Sequence, residues 1–462
     1  MEISTVYNNG KARFRYLLIA GYALLSLLAI GLLGVKGLIL SIGGLLGIIV
    51  TPFIYNKPTF ILFSALFLYP LTRLLSTDDK VLVTGGLYLL ALPSTIWLIG
   101  KYFKKVAEFS PYLWTLAAYS ILILLNIFRP DQIIMDVIKE FGRSYFAIFT
   151  ILSIYNYAQI NSANLDKISK YLSYIFNFIA LTGVLQLITK KGGIVMEGVY
   201  RIRGTFFNFN DYGFAVSLFI AFALFMYLFK VKAQEKTYWI FTIGFNMVAL
   251  LATFSKTSYI NAGLAFLFMS LFLSWKTRLQ ILAGLSVLGT AIMGFLIATG
   301  SLSLIVQRFS DNSSLNWRFN IWRNLYNMIL HGNIFLGQGV ESARNYLKVV
   351  MPLGESYAPH NVYLETWYNL GLIGLFLLIL TLLLIVIKGI LILFEKNNEN
   401  SPHIRIIATA TCLIAVITLV QNSASNAFYD RSGNIFFWAI IAILGCWYNR
   451  GCVTEQSEQI EG

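Results

Sequence analysis

The segment APHNVYLETWYNLGLIG, residues 358–374, places a histidine, an asparagine and a glutamate where a long apolar run begins. Imidazole takes up a proton near neutral pH, so His360 is a candidate catalytic base, the alternative being an ordinary hydrogen bond at a membrane surface. Asn361 is suited to cap the following helix, and Glu365 falls in its first turns, where a carboxylate complements the helix dipole. We take both as candidate substrate contacts. Glu365 could also orient the imidazole, although a direct contact across five helical positions is not favoured by the i, i+4 neighbourhood.

Two arginines stand two residues apart in YRIRGTFFNFND, residues 200–211. A guanidinium is always charged and donates paired hydrogen bonds, which suits a phosphate, although an arginine at a membrane surface can also reach lipid headgroups. Arg203, beside a glycine that lets the backbone turn, is the stronger phosphate ligand, and Arg201 is a second candidate. Asn210 or Asp211 is suited to cap the next helix.

The segment NWRFNIWRNLYNMILHGNIFLGQGV, residues 316–340, carries apolar side chains at helical spacing on one side: Ile321, Trp322, Leu325, Met328 and Ile329. This pattern predicts a helix that lies at the membrane surface, ends near His331 and is followed by a glycine-rich turn. Arg318, at the start of the helix, is the stronger anion ligand. Arg323 is equally open to substrate contact and to a solvated anchoring role.

Lys256 lies in TFSKTSY, residues 253–259, at the end of a pair of apolar runs, where it could approach the same anion or meet a lipid phosphate. These segments together supply several cations and one proton acceptor, with few carboxylates to hold a divalent metal. The inventory favours a transfer without metal or other cofactor, in which arginines bind a diphosphate leaving group.

Composition places these residues in an integral membrane protein. The 462 residues are 57% hydrophobic and 12% charged, and apolar runs of membrane length recur from end to end. We predict an all-α polytopic protein of about 12 to 14 spans, with one long outer loop that contains interfacial helices. The candidate spans are 16–35, 37–54, 59–75, 81–100, 109–128, 143–160, 168–189, 212–229, 237–253, 257–274, 278–299, 362–387, 404–420 and 434–449.

Alternation of these spans from a basic N-terminus predicts which connectors share a face. Those expected in the cytoplasm are short and basic: 101–105, 230–236, 275–278 and 388–405. Those expected on the outer face carry the candidate ligands: 190–211, 255–258, 300–361 and 421–433. We predict a single transmembrane domain over 1–462, which ends in a cytoplasmic tail at 450–462.

Charge and cysteine content exclude other classes. The three cysteines, Cys412, Cys446 and Cys452, have neither the number of a disulfide framework nor the spacing of a zinc site. The formal net charge of +14 would suggest nucleic acid in a soluble protein. In a membrane protein it indicates cytoplasmic anchors and an acidic ligand held at the membrane surface.

The motifs resemble those of one family. His360–Asn361, nine residues and then Gly371-x-x-Gly374 resembles the His-Asn-x9-Gly-x-x-Gly signature of the O-antigen ligase and polymerase superfamily. RIRGTFFNFND and RFNIWRNLYNMILHGNIFLGQGV resemble its Arg-Gly-Phe-Asn and Arg-x-x-x-Trp segments. Where many relatives have Ser-Arg, this chain has Ser255–Lys256, and lysine is a point charge without the bidentate fork.

The resemblance implies transfer of a saccharide chain from undecaprenyl diphosphate to an acceptor sugar hydroxyl. The site would face the periplasm or exterior from the bacterial cytoplasmic membrane. Arginines matching Arg203 and Arg318 would hold the diphosphate, and a histidine matching His360 would activate the acceptor hydroxyl or stabilise the departing phosphate. The partners implied are the lipid-linked donor, a saccharide or lipid A core acceptor and membrane lipids, and no nucleic acid.

The sequence leaves alternatives open. A ligase and a polymerase use the same donor chemistry and differ in the acceptor, so the residues do not separate them. A polysaccharide flippase or other lipid-linked glycan transporter is the rival from another class. Such a transporter should carry charges near the middle of several spans, whereas this chain keeps its charges at span ends. A purely structural membrane subunit is the third possibility, and it gives no role to His360.

Overall fold

The computed structural model describes residues 57–71, 77–130, 132–161, 163–196, 199–206, 208–271, 313–350, 358–395, 402–425 and 431–461, with scattered positions between 275 and 294. The predicted spans 16–35 and 37–54, and most of 278–299, lie outside the described residues. Each of the other predicted spans corresponds to a described helix.

The described part of the chain is almost entirely helical. Its helices are α1 (Pro58–Leu71), α2 (Thr77–Phe109), α3 (Tyr112–Leu125), α4 (Ile134–Ile160), α5 (Asn164–Thr189), α6 (Phe209–Phe229), α7 (Ala233–Leu251), α8 (Lys256–Ser270), α9 (Ser313–His331), α10 (Ser342–Val350), α11 (Val362–Phe394), α12 (Pro402–Ala424) and α13 (Arg431–Glu461). A short 3-10 turn follows α3 at Asn126–Phe128. One antiparallel ribbon pairs β1 (Ile194–Met196) with β2 (Val199–Arg201).

Five of the described helices contain stretches long and apolar enough to cross a membrane: Val83–Phe109, Asn164–Thr189, Phe209–Phe229, Val362–Phe394 and His403–Ala424. A run of 21 or more apolar residues spans the hydrocarbon layer as helix. Shorter apolar helical segments occur at Pro58–Leu71, Tyr112–Phe128 and Asn434–Asn449. The prediction of an all-α polytopic membrane protein is confirmed.

Helix α6 lies at the centre of the bundle, where it packs against α7, α8, α12 and α13. Buried side chains make up 83% of its most apolar stretch, as expected of a helix that is apolar on every side. Its N-cap is Asn208, whose side chain accepts hydrogen bonds from the N–H groups of Asn210 and Asp211. The prediction that Asn210 or Asp211 caps this helix is therefore wrong, because the helix begins earlier, at Phe209.

Helix α9 occupies the segment in which the apolar stripe predicted it. Ile321, Leu325 and Ile329 are buried, and they pack with Tyr368 of α11 and with α10. Met328 is the exception, since 39% of its side chain is exposed. The buried part of the stripe therefore packs against α10 and α11.

Helix α11 is broken at Gly371, and a loop inserts its backbone at the break. Gly371 has φ 70° and ψ −171°, and the groups that the helix leaves unpaired bond to residues 334–339. The N–H of Leu372 donates to the Ile334 carbonyl at 2.8 Å, and the N–H groups of Gln338 and Gly339 donate to carbonyls of α11 at 2.8 and 2.9 Å. The glycine-rich turn is thereby fixed to the start of α11.

Two residues of the α3–α4 connection hold the other side of this loop. The Arg129 guanidinium donates to the Gly337 carbonyl at 2.7 Å and to the Leu336 carbonyl at 3.3 Å. Gln132 accepts from the Val340 N–H at 2.8 Å and donates to the Val340 carbonyl at 3.1 Å. The loop is therefore anchored on two sides by hydrogen bonds.

We expect Gly371→Ala to destabilise the protein by about 3 kcal/mol or more. A Cβ at this position would lie 2.0 Å from the carbonyl oxygen of Phe335, and the backbone conformation disfavours any residue with a side chain. Gly263→Ala is the matched control, since a Cβ there meets nothing within 4 Å. Thermal unfolding of the purified variants in one detergent measures both, and equal midpoints for the two variants would contradict the role given to the break.

Candidate functional site

His360 is held in place by the elements on either side of it. Its φ of 53° lies in the left-handed region, which a residue with a side chain adopts only where its surroundings enforce it. The indole N–H of Trp322 donates to the carbonyl of the preceding residue, Pro359, at 2.8 Å. The ring of Trp317 lies 5.8 Å from the imidazole, measured between centroids. Helix α9 thus fixes the position of the histidine.

Asn361 is the N-cap of α11, as predicted. Its side chain accepts a hydrogen bond from the Leu364 N–H at 3.0 Å. The cap residue directly follows His360, and α11 begins at Val362, so His360 lies just before the N-terminus of the helix. Asn361 is therefore committed to the backbone, and its predicted role as a substrate contact remains a proposal.

The structure brings Arg318 and His360 together. The Arg318 guanidinium donates to the carbonyl of Ala424, at the end of α12, at 3.0 Å. Burial lowers the pKa of His360, and the positive charges of Arg318 and Arg344 lower it further, to about 3. The imidazole is consequently neutral at pH 7, the form that accepts a proton.

A buried cluster of charges beside this pair was not foreseen from the sequence. The Arg344 Nε donates to the Glu365 carboxylate at 2.7 Å and lies 3.6 Å from the Glu341 carboxylate. Arg143 of α4 pairs with Glu140 and lies 3.7 Å from Glu341. Paired charges inside an apolar bundle are uncommon, so Glu140 and Arg143 in α4 are the sequence feature that could have pointed to this cluster.

Glu365 is paired with Arg344, which was not among the site residues predicted from the sequence. It is fully buried, and its paired oxygen accepts from Arg344. The other carboxylate oxygen is buried without a hydrogen-bond partner. Glu365 is thereby linked to the imidazole indirectly, since it pairs with Arg344 and the charge of Arg344 acts on His360.

Three carboxylates come near this face, more than the sequence inventory counted. Glu140, Glu341 and Glu365 each pair with an arginine of the cluster. Among the residues that the structure describes, no group of three or more His, Cys, Asp or Glu side chains is arranged to hold a metal ion.

Arg201 is part of the protein interior. Only 1% of it is exposed, its Nε donates to the Thr253 carbonyl at 3.0 Å, and a terminal nitrogen donates to the Phe254 carbonyl. The guanidinium also lies over the Phe209 ring, 3.3 Å from the centroid. These contacts give Arg201 a structural role, which joins β2 to the turn before α8, rather than the predicted role as a substrate ligand.

The remaining candidate cations, Arg203, Lys256 and Arg323, belong to different elements. Arg203 donates from its Nε to the Gly192 carbonyl at 2.8 Å, and its backbone N–H donates to the Gln186 side chain at 3.1 Å. These two hydrogen bonds tie Arg203 to the last turn of α5 and to the loop that follows it. Lys256 begins α8, whose N-cap, Ser255, bonds to Asn210 at 2.9 Å. The side chain of Arg323 is exposed on α9.

A polar track connects α8 to the Arg318 side of the site. Asn261 of α8 donates to the Gln421 side chain of α12 at 2.8 Å, and both residues are fully buried. Gln421 stands one helical turn before Ala424, the residue whose carbonyl Arg318 contacts. Lys256 thus lies at the start of α8, and Arg318 contacts the end of α12, a helix that packs against α8.

Comparison with known proteins gives a family for this region. Residues 239–379 match the family model described as O-Antigen ligase. The matched segment contains Arg318, Arg344, His360, Glu365 and the break at Gly371, whereas Arg201 and Arg203 precede it.

The chain is also similar to an uncharacterised protein of Haemophilus influenzae, with 25% identity over 148 residues. That alignment covers 29% of this chain and 34% of the relative, so the chain spans about a third of the length of the curated protein it matches. The resemblance seen in the motifs is confirmed: residues 239–379 are similar to the O-antigen ligase family.

Proposed function

We propose that the protein transfers a saccharide chain from undecaprenyl diphosphate to the hydroxyl of an acceptor sugar. The observation that carries this proposal is the position of Arg318 beside His360, inside the region that matches the ligase family: the ring of Trp317, its neighbour in the chain, lies 5.8 Å from the imidazole. A guanidinium is suited to a diphosphate, and a neutral imidazole is suited to a hydroxyl.

In the proposed reaction, the acceptor hydroxyl oxygen attacks the anomeric carbon of the donor sugar. The bond between that carbon and the diphosphate oxygen breaks, and its electrons leave with undecaprenyl diphosphate. His360 takes the hydroxyl proton, while Arg318 stabilises the charge that develops on the leaving group. The arginines supply the positive charge that a divalent metal would otherwise provide, so the proposed reaction is metal-independent.

Donor binding adjusts the basicity of His360. Burial lowers its pKa in the free protein, two nearby cations lower it further, and a bound diphosphate would offset the effect of the cations. The pKa of His360 then rises towards its ordinary value of 6.5, where an imidazole is an efficient base near neutral pH. The imidazole becomes a stronger base when the donor is in place.

Arg203, Lys256 and Arg323 have supporting roles in this proposal. Arg203 meets the donor from the 190–211 loop, Lys256 adds positive charge at the start of α8, and Arg323 contacts glycan or lipid at the exposed side of α9. Asn361 acts by holding the helix start in place.

We place the protein in the bacterial cytoplasmic membrane with the His360 face directed outward. The described contacts join predicted outer connectors to one another, as Arg318 joins α9 to the end of α12. Lys230, in the predicted cytoplasmic connector 230–236, pairs with Asp166 in the first turn of α5, at the end of that helix opposite to the 190–211 loop. Labelling of single cysteines at Asn333 and Lys191 with an impermeant thiol reagent tests this orientation, and labelling of the two positions from opposite sides would contradict it.

A transporter accounts for the same residues less well. Described charges gather near helix ends, as with Glu140 and Arg143 at the start of α4 and Glu365 at the start of α11. A path for an anionic lipid-linked sugar calls for charges near the middle of the spans. This distribution favours an enzyme over a flippase.

The acceptor decides between ligase and polymerase. Purified protein in nanodiscs is incubated with lipid-linked glycan and with either a lipid A core saccharide or a second lipid-linked repeat unit, and mass spectrometry identifies the product. Transfer to the core saccharide identifies a ligase, and lengthening of the lipid-linked chain identifies a polymerase. No product with either acceptor, when the protein is folded and binds donor, would contradict the proposed function.

A further inference from the structure

Arg344, on the short helix α10, bonds to Glu365, whose own N–H donates to the carbonyl of Asn361, the residue after His360, at 3.0 Å. The positive charge of Arg344 acts on the imidazole together with that of Arg318, although the two arginines come from different helices. The imidazole therefore stands in the field of two guanidinium groups.

Carboxylates from two elements fix the position of Arg344. Its Nε donates to Glu365 at the start of α11, at 2.7 Å, and Glu341 lies 3.6 Å away just before α10. The Glu365 side chain is 1% exposed, whereas 26% of the Arg344 side chain is exposed. A buried carboxylate thus orients the guanidinium of a side chain that is partly exposed.

Helix α10 itself is held in place. Asn369 of α11 accepts from the Ala343 N–H at 2.8 Å, next to Arg344 in the chain, and Ala343 and Leu347 are fully buried. The break at Gly371 and the inserted loop lie just beyond this contact. The fold therefore presents Arg344 from a rigid support, as a preorganised binding group requires.

We propose that Arg344 is a further anion ligand of the site, which binds the diphosphate of the lipid-linked donor together with Arg318, and that Glu365 is the positioning residue that holds it there. The inference rests on the proposed function for the identity of the anion. The two guanidinium groups come from different helices, α9 and α10, and both would contact the leaving group.

The carboxylates around Arg344 would let it bind an anion while keeping its contact with Glu365. Glu365 contributes one paired oxygen, Glu341 lies at longer range, and Glu140 acts on Arg344 from α4. The second Glu365 oxygen has no hydrogen-bond partner. Arg344 therefore keeps a firm contact on one side while a diphosphate approaches its exposed side.

The test uses the full-length protein in nanodiscs of zwitterionic lipid, with inorganic pyrophosphate as the probe. His331→Gln and His403→Gln leave His360 as the one histidine, so ¹⁵N-histidine NMR reports its pKa directly. We expect pyrophosphate to raise the pKa of His360, and Arg344→Gln to weaken pyrophosphate binding roughly tenfold or more. Arg344→Lys should recover part of the binding, because lysine keeps the charge and loses the fork.

Arg143→Lys is the matched control, since Arg143 belongs to the same cluster but is not among the groups that act on His360. Glu365→Gln keeps the size of the side chain and loses its charge, and it should broaden or shift the His360 signal without abolishing binding. Unchanged pyrophosphate affinity in folded Arg344→Gln would overturn the proposal. If phosphatidylglycerol moves the His360 signal and pyrophosphate does not, the ligand is a lipid headgroup and the diphosphate assignment is wrong.

The two proposals fail separately. A protein that binds pyrophosphate through Arg344 but transfers no glycan would overturn the proposed function and leave the anion site. If Arg344→Gln transfers glycan and binds pyrophosphate as well as the wild type does, the proposed function stands and Arg344 is not part of the site.

Discussion

We expect His360→Ala to lower the turnover of glycan transfer about 10²–10⁴-fold, the contribution typical of a general base. Binding of the lipid-linked donor should survive, because the arginines that hold the diphosphate remain. Steady-state transfer and equilibrium donor binding, measured on the same purified variant, separate the two effects.

His331→Ala is the matched control, since His331 is an exposed residue at the end of α9. It should transfer glycan at the wild-type rate. If His360→Ala instead binds donor poorly but turns over what it binds normally, His360 is a phosphate ligand and its assignment as the base is wrong.

The pH dependence follows from the direction of the His360 shift. Its pKa is lowered to about 3 in the free protein, so the imidazole is protonated only below that pH and is neutral above it. The acid limb of kcat/KM from this residue should lie well below pH 6.5, whereas the limb of kcat should lie higher, because bound donor raises the pKa. An acid limb of kcat/KM near pH 6.5 that vanishes in His360→Ala would contradict this arrangement.

The second large effect is expected at Arg318. Arg318→Ala removes a charged donor beside His360, and a lost charged hydrogen bond of ~1.5–3 kcal/mol weakens donor binding by roughly one to two orders of magnitude. The effect on transfer is larger, because the same group stabilises the charge of the leaving diphosphate. Arg318→Lys should recover only part of both, since lysine cannot donate two parallel hydrogen bonds.

Arg323→Ala removes the same type of side chain from the exposed face of the same helix, where we propose only a supporting contact with glycan or lipid. Its side chain is exposed, so its loss should leave donor binding within about threefold of wild type. Equal activity of Arg318→Ala and wild type, at equal protein levels in the membrane, would remove Arg318 from the site. A large loss in Arg323→Ala would show that the exposed face of α9 also binds substrate.

The local features of the site were readable from the sequence. The apolar stripe predicted α9, and a capping residue before an apolar run predicted the start of α11 at Asn361. Each of these signals lies within a few residues of the structure it specifies. The pairing of Arg318 with His360 required only that both segments share a face, which alternation of the spans supplies.

The charge cluster was not readable, because its members are far apart in the chain. Arg344 meets Glu365 across 21 residues, and Arg143 meets Glu341 across about two hundred. No local periodicity records such a contact. A carboxylate at a helix start also had a sufficient local explanation in the helix dipole, which concealed its pairing with Arg344.

Arg201 and Arg203 show the limit of a spacing argument. The two share a residue type and lie two apart, but the chain leaves β2 at Arg201 and turns at Gly204, which has φ 54°. One guanidinium enters the interior, and the other bonds within the loop. Gly371 was likewise recognised as part of a motif, while its function as a helix break that accepts a loop depends on tertiary contacts.

The most direct measurement of the central claim is single-turnover release of undecaprenyl diphosphate by the purified protein, with lipid-linked glycan, acceptor and a metal chelator present. The account predicts release in step with product formation by the wild type, and release about 10²–10⁴-fold slower in His360→Ala with donor still bound. Equal rates in the two proteins, or a reaction that the chelator stops, would contradict a transfer carried by Arg318 and His360.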